Sequence, residues 1–283
     1  SRINADSLIH DRNTQYSEGF ENIIIESSES DLTIFGDQLL DDKLNKVSKI
    51  SGNPFLVQIE ELNDGTFDTL FIKSKNMESR KDSSTVLIAT DSVEIIRGGF
   101  SSLNDYTIYD SQNEKITIKK KEKQKTPILW YNNNQVVGDS IYIKLDSSKI
   151  RDVDILHNAI LVSQDSTYEQ RYDQMSGDTI SLSFSGGKLK KTKVDGNVLS
   201  IYYLYEEGEP NGLLKSSASE IVIIFENGKV REVKMFGSPI SEYHPENLVI
   251  ENEKSFTLPA FYIYPDKPQR TEFKSIFLNK KSY

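Results

Sequence analysis

The 283 residues include no cysteine, three histidines, one tryptophan and eight prolines. Without cysteine, a disulfide scaffold, a thiol nucleophile and a Cys-ligated zinc are excluded. His10, His157 and His244 stand far apart with no metal-like spacing, so structural or surface roles are expected for them and no metal is implied. No apolar run approaches the roughly 18 residues of a membrane-spanning helix. Positive charge is the scarcer sign: 34 Lys and Arg stand against 43 Asp and Glu, a net charge of −9. That balance argues against nucleic acid, whose phosphates call for a clustered basic surface. The sequence opens on Ser1, and an export signal cannot be read from it.

What is abundant is strand-forming material. There are 14 Tyr and 13 Phe, many in alternating stretches of the kind strands prefer. The segments 20–26 (FENIIIE), 31–36 (DLTIFG), 68–74 (DTLFIKS), 84–90 (STVLIAT) and 92–98 (SVEIIRG) are short, β-branched and bounded by turn residues. No window carries an apolar helical stripe over three turns; at most a helical turn is expected near 245–249 (PENLV).

Three stretches repeat one line. They start at Gly138, Gly177 and Ala218. The turn lysines Lys149, Lys188 and Lys229 each fall 11 positions after the start, and corners at His157, Gly196 and Gly237 each fall 19 positions after it. Looser copies upstream, at 5–11 (ADSLIHD), 36–40 (GDQLL) and 104–110 (NDYTIYD), suggest six to seven units of an arrayed architecture. In each clear unit the first strand alternates. Ile180, Leu182 and Phe184 face one way and Thr179, Ser181 and Ser183 the other, so one face is buried and one wet. The second strand breaks step between Leu189 and Thr192 and between Val230 and Val233, which predicts a β-bulge. The Gly-Asn or Gly-Ser corners predict a crease that folds the sheet over. Ser185-Gly186-Gly187 and Asn227-Gly228 suit tight hairpins. The stretches 119–125 (KKKEKQK) and 205–212 (YEEGEPNG) read as longer exposed loops.

The segments 52–57, 127–145, 172–184, 187–207 and 218–239 carry a likeness to a family. In them the chain resembles OstA-like proteins of the Bacteroidetes type, kin of the LptA, LptC and LptD N-terminal domains of lipopolysaccharide transport. The motifs are structural, so the resemblance speaks to fold more than activity. It implies an all-β, elongated open β-jellyroll (β-taco), with residues 1–254 as one domain; the Pro-rich 255–283 departs from the family pattern and is expected to be a cap, linker or docking strand. It also implies a periplasmic, non-enzymatic protein without cofactor that passes lipopolysaccharide or a similar amphiphile and stacks edge to edge with other jellyrolls of that kind. The acyl groove is then expected along Ile141, Ile143, Leu145, Ile180, Leu182, Phe184, Ile221, Ile223 and Phe225, with lipid-phosphate contacts from Lys188, Lys190, Lys191 and Lys193. A structural or protein-interaction module with a filled interior and no lipid is the alternative.

Other candidates read blandly. Asp37, Asp139 and Asp178 sit beside Gly and suit turns; the nine-residue repeat of a calcium ladder is absent. Glu206-Glu207 has no convergent partner for acid–base work, SGGK at 185–188 lacks the rest of a phosphate loop, and no G-x-S-x-G occurs. Trp130 reads as core.

Overall fold

The computed structural model describes residues 2–27, 31–62, 65–81, 85–110, 112–120, 125–146 and 149–281. Positions 121–124 of the lysine stretch, 147–148 of the first repeat's hairpin and Ser84 of the expected fourth strand lie outside them. The chain is almost entirely β: twenty strands, two short α-helices and a 3₁₀ turn among the described residues. All strand pairings described are antiparallel. Two compact units result. The first is Ser1–Pro127 with Lys144–Lys149 and Asp266–Tyr283; the second is Ile128–Ile143 with Ile150–Pro265. The C-terminal stretch 255–283 thus contributes to both.

Long strands are creased midway, and the crease explains the repeat period. On alternate strands two consecutive residues take positive φ and drop out of the ladder: Glu21-Asn22, His157-Asn158 and Gly196-Asn197. On the facing strand an aspartate receives the corner amide. Asn22 donates to Asp6 at 2.7 Å, Asn158 to Asp139 at 2.9 Å and Asn197 to Asp178 at 3.3 Å. One repeat is therefore one strand of each kind. The glycine before the aspartate is required by close approach. A Cβ at Gly36, Gly138 or Gly177 would lie 2.4, 2.3 or 2.6 Å from Ile50, Ile155 or Val194. The third copy has Ala218 there, and the strand beside it carries the unbranched Met235 in the place of Val194. Gly177→Ala is accordingly expected to lower stability by about 1–3 kcal/mol. Val194→Met in the same chain is expected to restore much of it, as read from a double-mutant cycle of urea midpoints. Equal loss with and without Val194→Met would contradict this account.

The predicted bulges are present. Ser183 pairs with Lys191 and Phe184 with Leu189, which leaves Lys190 as the extra residue; Ile224 pairs with Glu232 and Phe225 with Val230, which leaves Arg231. The Gly186-Gly187 and Asn227-Gly228 hairpins have positive φ at both positions. The stretch 205–212 is not a longer loop. Glu207 and Gly208, both at positive φ, close a two-residue hairpin with Glu206 opposite Glu209. The helical turn near 245–249 is seen as Glu246–Val249.

In unit 1 one half of the creased sheet is buried on both faces. Ile34, Leu56, Ile72 and Ile95 form one cross-strand row, and Val57, Phe71 and Ile96 alternate onto the other face. The second face is covered by a helix, Arg270–Lys281, whose Phe273 is fully buried among Phe35, Phe55, Phe71 and Ile96. This helix was not expected from the sequence. The inner face is filled and holds a polar knot: Tyr109 donates to Gln58 at 2.8 Å, and Arg97 binds Asp68 and Glu60.

Candidate functional site

Unit 2 has two walls, one on each side of its crease. From the corner toward one set of hairpins run Thr179–Ser185, Lys188–Asp195 and Glu220–Glu226. From the corner toward the other run Tyr172–Ser176, Val198–Glu206 and Glu209–Ala218. Between them lies a cavity of about 600 Å³ lined from both walls, a size usual for sites that take small ligands.

The nine residues expected as groove lining divide. Ile141, Ile143 and Ile180 are fully buried, and Leu145, Leu182 and Phe184 nearly so; these six do not line the cavity. Ile221, Ile223 and Phe225 do. Tyr131 marks the change from filled to open. Its ring meets Phe184 edge-on at 5.1 Å and its hydroxyl donates to Gly187 O at 2.6 Å, so it reaches from one wall to the other. Beyond it the opposite wall turns small residues inward. Ser200 lies opposite both Met175 and Ser216, and Ser163 opposite Asp173. Serines where the facing wall has Ile and Leu leave space unfilled, which accounts for the cavity.

The two walls differ in character. The first presents Leu189, Ile221, Ile223, Phe225, Val230 and Met235; the second mixes Leu161, Met175 and Leu214 with Ser200, Ser216 and Asp173. The cavity opens beside the last strand, where Val230 is 37% and Val233 46% exposed. Of the four lysines expected near a lipid phosphate, Lys188 lines the cavity. Lys190 is the bulge residue and Lys191 is exposed on the outer side. Lys193 is engaged by Asp195 at 2.9 Å and Glu220 at 3.0 Å.

Two polar groups of the lining were not singled out in the sequence. Thr192 is buried in the apolar wall and its hydroxyl has no hydrogen-bond partner. Asp173 accepts a 2.9 Å bond from Tyr203 N, but burial pushes its carboxyl up to about 7, and the neighbouring Asp165 adds to this. Both stand at inward positions of alternating strands, the one signal that could have found them. Asp165 moves the other way. Although burial raises it, bonds from the Tyr205 hydroxyl and the Tyr168 and Thr167 amides hold it below the usual carboxylate range.

The outer face of the second wall is sealed by the C-terminal segment. Gln174 donates to Phe256 O at 3.1 Å and accepts from Leu258 N at 2.8 Å; Gln135 does the same for Tyr262 O and Tyr264 N at 2.7 and 2.9 Å. Val249 and Leu258 pack on Ile201, Tyr203 and Leu213. Arg171, 3% exposed, lies over the rings of Tyr168 and Tyr203 and binds Glu246 and Glu253. The C-terminal segment therefore backs the second wall from outside.

Among the described residues no cluster of His, Asp and Glu could hold a metal. His157 is a corner residue, and His10 pairs with Ser17. Trp130 is buried. Asp139 and Asp178 serve the crease, and a Cβ on Gly52 would meet the Asp37 side chain in the same way. No helix among the described residues is long and apolar enough to cross a membrane. No known protein-family model matches the chain, and no curated protein matches it.

Proposed function

We propose that this is a non-enzymatic carrier of an amphiphile, lipopolysaccharide or a similar lipid, of the OstA-like kind, working in the periplasm. The observation that supports it is the unit 2 cavity, apolar on one wall and open beside an edge strand. Each acyl CH₂ taken from water contributes about 0.8 kcal/mol, so a chain held there needs no opposite charge. This suits a protein of net charge −9. The backbone of the last strands, Lys229–Phe236 and Ile240–His244, pairs with Glu209–Glu226 alone among the described residues. That leaves an edge to which a partner's strand can add, placed next to the cavity mouth. A continuous apolar path across such a joint would move lipid passively, with energy supplied by a partner.

Val233→Asp tests the proposal without disturbing the core, because Val233 is part of the mouth and already 46% exposed. It is expected to cut photocrosslinking to a lipopolysaccharide or acyl probe more than tenfold while the melting temperature stays within a few degrees. Undiminished crosslinking, or no crosslinking of the unaltered protein, would defeat the reading. The filled interior of unit 1 favours a structural role for that unit, with transport confined to the rest.

A further inference from the structure

The second wall of the unit 2 cavity has a chemistry that holding plain hydrocarbon does not require. Asp173 projects from the inward row shared with Ser163, beside Tyr202 of the neighbouring strand, and lines the cavity with Ser200 and Ser216. Across from it stands the unpartnered hydroxyl of Thr192. One carboxyl oxygen of Asp173 accepts from Tyr203 N. Among the described residues no second bond to that carboxyl is present, and Asp173 lines the cavity.

We propose that Asp173 is the specificity-determining group of this cavity, donating a hydrogen bond to a carbonyl or hydroxyl oxygen of an acyl ester or amide. This rests on the amphiphile reading above and names its ligand class. A neutral carboxylic acid in an apolar site is a good donor; an ionised one leaves a bare charge against a hydrocarbon chain.

The surrounding groups fit that assignment. From the turn after Lys149–Gln164 comes Asp165, a like charge. From Lys188–Glu206 come Tyr202, which burial and then Asp173 raise, and Tyr203, which burial raises. Arg171, two positions away, is bound by Glu246 and Glu253, which hold the segment sealing the outer face. Lys188 lines the cavity from the other wall, and among the described residues no cation forms an ion pair with Asp173. The carboxyl, raised to about 7, is neutral below that pH and loses its proton as pH climbs through it. Ligand binding, which desolvates it further, must then weaken with rising pH.

The test uses displacement of the neutral fluorophore N-phenyl-1-naphthylamine from the whole chain by methyl dodecanoate. The ester is expected to bind at least fivefold more weakly at pH 8.5 than at pH 5.5. In Asp173→Asn, which keeps a donor at every pH, the change should be under twofold. Asp173→Ala serves the same comparison if the amide fails to fold, and should be flat and weak. Tight ester binding that ignores both pH and the substitution would overturn the role of Asp173 while leaving the carrier reading in place. Failure of any probe to bind at either pH would overturn both.

Discussion

Phe273→Ala is expected to destabilise unit 1 by about 3–5 kcal/mol. Phe273 is fully buried, and its ring centroid lies 5.8 Å from that of Phe55 and 5.9 Å from that of Phe71. It is the deepest anchor of the 12-residue helix Arg270–Lys281, assisted by the partly buried Ile276 and Phe277. A helix of that length is marginal in water without tertiary contacts. Truncating its anchor removes the contacts of the ring, leaves a void between Phe55 and Phe71, and weakens the helix's cover of the outer apolar row. The helix should then detach before the sheet unfolds. Hydrogen exchange would show it as lost protection in 270–281 at denaturant concentrations where Leu56 and Ile72 remain protected. Phe273→Leu should cost much less, since most of the apolar volume stays. A loss under 1 kcal/mol, with the helix amides still protected, would mean that Ile276 and Phe277 suffice.

That helix also shows where the sequence was legible and where it was not. Period-two alternation in Thr179–Phe184, positive-φ corners at Gly196-Asn197 and the slipped spacing after Leu189 all survive into the structure, because each is a local backbone requirement. The helix carries its apolar residues over little more than one turn, at Phe273, Ile276 and Phe277, too short a stripe to be read by periodicity. The readable signal lay in the strands it covers. Phe55-Leu56-Val57 and Leu70-Phe71-Ile72 are continuous apolar runs, and a strand apolar on both faces is covered on both. Of the nine residues on the alternating rows, Ile221, Ile223 and Phe225 lie on open space while the other six are packed. Whether Ile180 meets a leucine or a serine across the fold depends on residues far along the chain, and alternation on one strand says nothing of them. The burial of Arg171 and Arg97 is illegible for the same reason: their partners Glu246 and Glu60 are 75 and 37 positions away.

Arg97 carries the second large effect. It is 3% exposed, on the inward row with Leu70 and Gln58, and it holds Asp68 at 3.0 Å and also Glu60. Burial alone would weaken its charge, but Glu60, Tyr109 and Asp68 together raise it. Arg97→Ala leaves two carboxylates facing each other without a cation, and removing one side of a buried ionic group costs about 3–5 kcal/mol. Arg97→Lys should recover part of that loss, because an ammonium offers one point charge where the guanidinium reaches two carboxylates. Neutralising the two carboxylates separates charge from packing. Adding Glu60→Gln and Asp68→Asn to Arg97→Ala should restore most of the stability in guanidinium titrations at neutral pH. An equal deficit with and without these changes would show that Arg97 acts through the packing of its stem, and that the ion cluster inside unit 1 contributes nothing of its own.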